Sequence, residues 1–374
     1  MISFALRLQG FLTTFTPLAG MLIGLPLLGA RLAGLPLAPY FEFPPQTRLI
    51  QQGAFSWPAF CFYATLIGAA IITLGVRASR SFHRSAPAAG TAPHPFPGWG
   101  WAAVAAGATA WVLAWTRFPW MRAFQPHTFT PLWLAYIVAV NALCCRRTGR
   151  SLLTHRPGFF LALFPTSAVF WWFFEYLNRF VQNWYYVGER FDPWEYFWYA
   201  TLPFATVLPA VLSTGELIQS FAGFRRAFGR MQPLSGFDHP LLPWGVLAAA
   251  AAGLAAIGVW PGVFHSLVWV APLLIIVSLK GLRREAHPLQ DLAGTDWTGP
   301  VSAALAALVC GFFWEMWNFY SLAKWKYSIP LVHRFEIFEM PVLGYAGYLP
   351  FGLECAVVAD LLGTLLKRSG SVPP

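Results

Sequence analysis

Ten runs of apolar residues, each about 20 residues long, follow one another along this chain. A helical run of that length matches the thickness of a bilayer. Only 11% of the residues are charged, against about 25% in soluble domains. The pattern therefore predicts an all-α, polytopic membrane protein. Its predicted spans are 11–30, 55–76, 99–115, 129–145, 159–179, 197–221, 242–260, 263–282, 299–320 and 340–366.

The basic residues between the spans predict the orientation of the chain. With ten spans, both termini lie on one side, and that side carries 16 Lys and Arg against 9 on the other. The positive-inside rule then places both termini in the cytoplasm, and a bacterial inner membrane is the expected location. A net charge of +10 can also indicate a nucleic-acid partner. Here the basic residues form short clusters between apolar runs, so we expect no nucleic acid.

Two segments of the chain repeat each other at a shift of 140 to 141 residues. Each copy contains four predicted spans, so both copies enter the membrane in the same direction. The predicted organisation is an N-terminal helix pair and linker (1–97), two four-helix repeats (98–222 and 243–366) and a cytoplasmic tail (367–374). The matched pairs are Phe173 with Phe313, Glu175 with Glu315, Asn178 with Asn318, Trp184 with Trp325, and Tyr186 with Tyr327.

Each repeat carries a glutamate and an asparagine three residues apart, which places them on one face of a helix. A carboxylate at the centre of a membrane helix costs about 2.5 to 3.5 kcal/mol, so it faces the bundle, loses its charge or finds a partner. An ion pair with Arg179, four residues on, is one explanation for Glu175, but Glu315 has Phe319 at that position. The predicted catalytic residues are Glu175 and Glu315 as general acid or base, with Asn178 and Asn318 orienting them.

Each copy continues with a Trp-x-Tyr tripeptide and an acidic, aromatic entry into its fourth span. An aromatic belt at the membrane interface explains such rings, but a belt does not require glutamates at matching positions. We therefore expect the carboxyls to gather around the seam between the copies, where one can act as a proton donor. The predicted substrate-binding residues are Trp184, Tyr186, Glu195, Trp325, Tyr327, Glu336, Glu339 and Glu354.

A further carboxyl lies in the fourth span of each copy, Glu216 in the first and Glu354 in the second. An interhelical hydrogen bond explains both, and a proton path or polar substrate channel is the alternative. The histidines His127, His265 and His333 share the outer side but occupy no equivalent positions. Because metal-ligand spacing and nucleotide-binding motifs are missing, the sequence predicts no metal site and no cofactor.

The general plan, paired membrane repeats with a Trp–Tyr outer segment before an acidic, aromatic helix start, loosely resembles that of the integral-membrane lycopene cyclases. The resemblance implies chemistry by carboxylates without a soluble nucleotide domain. The chain departs from that family because a proline followed closely by Glu-Glu is missing. Here Glu339 precedes Pro341 instead.

Three functions stay open on the sequence. The first is an enzyme acting on an isoprenoid or lipid held between the repeats, which requires an aromatic cavity with Glu175 and Glu315 pointing into it. The second is a noncatalytic scaffold or accessory subunit of a larger membrane complex, with its carboxyls paired internally. The third is a transporter with pseudosymmetric halves, which requires a polar path from Glu354 past Glu216.

Overall fold

The structure is a computed structural model that describes residues 4–46, 54–83, 94–236 and 239–366, and most of these residues are helical. Within those ranges, eight helical segments are long and apolar enough to cross a membrane, or nine if one bent pair forms a span. The chain thus has the architecture of an all-α, multi-pass membrane protein. The predicted total of ten spans stays a prediction. The predicted tail, 367–374, lies outside the described residues.

Fourteen α-helices and four short strands make up the described part of the chain. The helices are α1 Phe4–Leu32, α2 Trp57–His83, α3 Gly98–Trp115, α4 Phe129–Thr148, α5 Leu152–His155, α6 Pro157–Val181, α7 Pro193–Phe204, α8 Val207–Gln219, α9 Ala222–Phe228, α10 Leu242–Val259, α11 Pro261–Phe264, α12 Ala271–Leu282, α13 Thr298–Phe319 and α14 Tyr348–Leu366. The strands are β1 Trp184–Val187, β2 Lys324–Tyr327, β3 Glu336–Ile337 and β4 Met340–Pro341.

Two of the predicted spans are less regular than the apolar pattern indicates. The run 263–282 is broken between the 3₁₀ helix His265–Trp269 and α12, with a bend of 57° across the two parts. Pro272 lies in the first turn of α12, where a proline can start a helix but cannot continue one. The run 340–366 begins as β4 and a 3₁₀ helix, Val342–Gly347, before α14.

The middle of the molecule is where α6, α8, α13 and α14 pack together. Helix α8 contacts α4 and α6 as well as α13 and α14, and α6 also contacts α14. Their facing side chains are mainly aromatic and aliphatic and belong to one continuous buried core. These four helices carry five carboxyls, of which Glu175, Glu315 and Glu354 are buried, whereas Glu216 and Asp360 are partly exposed.

The strands β1 and β2 form an antiparallel ladder that joins the two halves of the chain. Its four facing pairs are Trp184 with Tyr327, Tyr185 with Lys326, Tyr186 with Trp325, and Val187 with Lys324. A 141-residue shift exchanges the first pair with the third and returns the second to itself, so the register of these three pairs is symmetric.

Helices α1 and α10 cross with their backbones in direct contact. A Cβ atom added to Gly29 would lie 1.8 Å from the carbonyl oxygen of Ala255, and one added to Gly258 would lie 2.3 Å from that of Pro26. Only glycine permits such an approach, as is common where membrane helices pack through small residues. This crossing fixes the N-terminal helix to the second half of the chain.

We predict that Gly29→Leu lowers the free energy of unfolding by about 1 to 3 kcal/mol, because the new side chain overpacks the crossing. Thermal unfolding of the purified protein in detergent measures the effect. Gly24→Leu is the matched control, since a Cβ there meets nothing within 4 Å and Gly24 is exposed on the same helix. Equal melting temperatures for Gly29→Leu and Gly24→Leu would contradict the close contact between α1 and α10.

Candidate functional site

A cavity of about 770 Å³ lies where β1 and β2 meet the ends of α6 and α13. Its volume falls in the range typical of small-molecule sites. The wall is largely aromatic, and Glu175 is one of the few ionisable groups in it. Its rings include Phe129, Trp171, Trp184, Trp269, Trp314 and Tyr348.

The carboxyl group of Glu175 is held by one of its two oxygens. Oε1 accepts hydrogen bonds from Nε1 of Trp171 at 3.1 Å, from Nε1 of Trp184 at 3.0 Å and from the hydroxyl of Tyr186 at 2.6 Å. Oε2 accepts none from the described residues, and the side chain lines the cavity although only 3% of its surface is exposed. The group is therefore fixed in place while one oxygen stays available to a ligand.

Glu175 does not form the helical ion pair with Arg179 that is one explanation from the sequence. The guanidinium of Arg179 is directed elsewhere, with Nη1 donating to the carbonyl oxygens of Tyr40 at 2.8 Å and Glu42 at 2.7 Å. Arg179 contributes a nearby positive charge, whereas neutral indole and phenol donors make the hydrogen bonds to Glu175. The bonds to Tyr40 and Glu42 tie α6 to the segment that follows α1.

Glu315 has a similar setting but does not reach the cavity. Its Oε1 accepts from the hydroxyls of Tyr327 and Tyr348, each at 2.7 Å, while Oε2 is buried without a partner in the described residues. Nε1 of Trp325 donates to the Tyr327 hydroxyl at 2.8 Å. Both tyrosines line the cavity and Glu315 does not. Of the two predicted catalytic carboxyls, only Glu175 is thus presented to a ligand.

The phenols of Tyr186 and Tyr327 remain neutral donors. Burial raises the pKa of each well above its ordinary value, and the adjacent carboxyls, Glu175 and Glu315, raise it further. A neutral phenol that donates to a carboxylate is therefore the stable arrangement at physiological pH.

Trp171 and Tyr348 are donors that the sequence analysis missed. Trp171 precedes Glu175 by four residues, a helical spacing that could have revealed it. Tyr348 had no such signal. At the 140-residue shift, Trp171 corresponds to Gly311, where an added Cβ would lie 2.3 Å from the Tyr348 ring. Each half therefore supplies its donor from a different helix, and Val207, which corresponds to Tyr348, lines the cavity beside Glu175.

Asn178 and Asn318, predicted to orient the glutamates, bond instead to the backbone of the segment that follows each helix. The Asn178 amide donates to the carbonyl oxygen of Trp184 at 2.8 Å and accepts from the Asn183 backbone at 2.8 Å. Asn318 likewise donates to the Trp325 carbonyl at 2.8 Å and accepts from its N–H at 2.9 Å. Both asparagines thus fix the chain after the helix, which places the Trp and Tyr donors against the carboxyls.

The outer carboxyls do not gather around the cavity as expected. Glu195 is exposed in the first turn of α7, where a negative charge favours the helix N-terminus. Glu336 is exposed and contacts His333 at 2.9 Å, and Glu339 forms an ion pair with Lys324. In the part of the chain that the structure describes, no three His, Cys, Asp or Glu side chains are placed to hold a metal ion.

The carboxyls of the fourth spans differ from each other. Oε2 of Glu216 accepts from the backbone N–H of Leu152 at 2.8 Å, which is an interhelical hydrogen bond. Glu354 is fully buried in α14, and neither of its oxygens has a partner among the described residues. Predicted as substrate-binding, Glu354 does not line the cavity.

Comparisons of the chain with protein-family models, curated proteins and solved structures find no match. Any functional inference therefore rests on the residues of the site and their geometry.

We predict that Asn178→Ala loosens β1, because the substitution removes the buried bonds that hold its first residue, each deletion costing about 1 to 3 kcal/mol. Amide hydrogen exchange in the peptide covering 182–187 should become faster. The matched control is Asn141→Ala, a buried asparagine that bonds Ser213 and Leu153 instead. Unchanged exchange in 182–187 would show that Asn178 does not position the strand.

Proposed function

We propose that this protein is an integral membrane enzyme that carries out acid/base chemistry on an isoprenoid or another lipid-like substrate held in the cavity. One observation carries the proposal: Glu175 lines an aromatic cavity with Oε1 held by three donors and Oε2 without a partner among the described residues. Glu315 also bonds through one oxygen, but it lies outside the cavity, so Glu175 is the better placed of the two for proton transfer to or from a ligand.

Glu175 acts as a general base in the proposed step. A substrate C–H or O–H bond breaks, its proton passes to Oε2, and the electron pair of that bond stays on the substrate. The bonds from Trp171, Trp184 and Tyr186 hold the carboxylate in one orientation while the proton moves. A positioned acid/base group contributes about 10²- to 10⁴-fold to a rate.

The aromatic wall favours an apolar substrate. Trp171, Trp184 and Trp269 line the cavity with ring centroids 5.2 to 6.4 Å apart. Trp325 and Tyr327, predicted to bind substrate, also line it, on β2. Such rings bury large apolar areas and therefore suit a hydrocarbon chain.

We further propose that the halves 98–222 and 243–366 arose by duplication and have the same orientation in the membrane. The symmetric register of β1 and β2 supports this origin, as does the reciprocal placement of Trp171 and Tyr348. Glu315 is then the structural counterpart of Glu175. Both termini are proposed to lie in the cytoplasm of a bacterium, so the cavity belongs to the opposite side of its inner membrane.

An accessory subunit of a larger membrane complex is the second candidate function, and one observation favours it. No residue in the apolar part of α2 is fully buried against the rest of the described chain. Trp57, Phe62 and Ile72 are all more than half exposed on it. Lipid or another membrane subunit would cover this face.

We predict that Glu175→Gln abolishes turnover and leaves the fold intact, because the amide keeps the shape of the side chain but cannot take up the proton. Mass spectrometry of lipid extracts should show a wild-type product that falls by about 10²-fold or more in this variant. Glu195→Gln, at an exposed position outside the cavity, should match the wild type. If Glu175→Gln and the wild type give the same lipids, the protein is not this enzyme and the accessory role is favoured.

A further inference from the structure

Arginines occupy part of the otherwise aromatic cavity wall. Arg179 and Arg190 both line it, and Arg190 is exposed and forms no hydrogen bond or ion pair within the described part of the chain. Lys324 also lines the cavity, but Glu339 neutralises it. The one other acid in the wall besides Glu175 is the exposed Glu189. The wall thus holds two arginines and two acids, and the guanidinium of Arg190 has no partner among the described residues.

Arg179 is held ready to contact an anion. Its Nη1 is anchored on the carbonyl oxygens of Tyr40 and Glu42, while the carboxyls of Glu175 and Glu42 are the acids that act on its charge. Its Nε is buried without a partner in the described residues. A buried N–H of a charged group is unfavourable when it has no acceptor, and an anionic ligand oxygen would satisfy it.

We propose that the substrate is an amphiphile with a phosphate or diphosphate head group, bound by Arg179 and Arg190, and an apolar chain enclosed by the aromatic wall. This inference rests on the proposed function, because it assigns the substrate class of the same cavity. The planar, forked donors of arginine match phosphate oxygens. An amine head group would be repelled by the same two residues.

The spacing along α6 places the reacting atom close to the head group. Glu175 and Arg179 are four residues apart, which is about 6 Å along a helix axis. Arg179 lies nearer the end of α6 at Val181, so the phosphate occupies the end of the cavity and the chain runs inward past Glu175. The proton that Glu175 removes therefore belongs to an atom within a few bonds of the phosphate-bearing carbon.

The test compares farnesyl phosphate with farnesol for binding to the purified full-length protein in maltoside micelles, measured by isothermal titration calorimetry. We expect farnesyl phosphate to bind about tenfold tighter or more, as one charge-assisted contact predicts. Arg190→Gln should remove about tenfold of the affinity for farnesyl phosphate and leave that for farnesol unchanged. Because Arg190 is exposed, this variant should fold normally.

Arg122→Gln is the matched control. Arg122 is an exposed arginine in the loop between α3 and α4, outside the cavity wall, and its substitution makes the same change in net charge.

A second pair of ligands tests the apolar chain of the substrate. Tighter binding of farnesyl phosphate than of didecanoyl phosphatidic acid assigns an isoprenoid chain, and the reverse assigns a diacyl chain; both support the head-group site. If inorganic phosphate binds as tightly as farnesyl phosphate, the apolar chain contributes nothing to binding, and the proposal of an amphiphilic substrate is overturned.

Equal binding of farnesyl phosphate and farnesol, or equal losses in Arg190→Gln and Arg122→Gln, overturns the inference. Ala200→Trp then tests the proposed lipid site separately, because the new ring would fill the cavity at its wall. If farnesol binds the wild type but not this variant, the proposed lipid site still holds. Conversely, if Arg190→Gln loses the phosphate preference while Glu175→Gln retains wild-type turnover, the head-group site stands and the proposed catalytic role fails.

Discussion

The need to satisfy a carboxylate inside an apolar helix governs the arrangement of this molecule. Glu175 lies near the end of α6 with 3% of its surface exposed, so water cannot meet the demand that its charge creates. Its donors come from Trp171 in the same helix and from Trp184 and Tyr186 in β1. Since β1 pairs with β2 from the other half, satisfying one side chain also fixes how the halves are joined.

The two halves supply hydrogen-bond donors to their buried carboxyls from different helices. This difference explains why Glu175 lines the cavity and Glu315 does not. Near Glu315 the ring of Tyr348 occupies the space above Gly311 and supplies the second hydroxyl donor. Near Glu175 the corresponding donor is an indole from α6, and Val207 takes the position of the tyrosine. The smaller side chain lines the cavity, so open volume lies beside Glu175, whereas Glu315 lies behind two phenols.

Much of this arrangement could be predicted from the sequence, and what could not has physical causes. Apolar runs reveal helices because every span must satisfy its own backbone, and the repeated Glu and Asn positions indicate where polar groups enter the interior. The donor Tyr348 is distant in sequence from Glu315, so no local spacing could reveal it. Glu195 and Glu336 share matching positions, but those positions face solvent. Whether the run 263–282 is straight depends on how Pro272 packs, which composition does not record.

The most direct test of the account is photolabelling in membranes with an isoprenoid phosphate that carries a diazirine on its chain, followed by mapping of the labelled peptides. The account predicts labels within 171–207 and 323–348, the segments that enclose the cavity beside Glu175, and loss of those labels when unlabelled farnesyl phosphate is added. Labels confined to the exposed face of α2, where any membrane lipid has access, would contradict it.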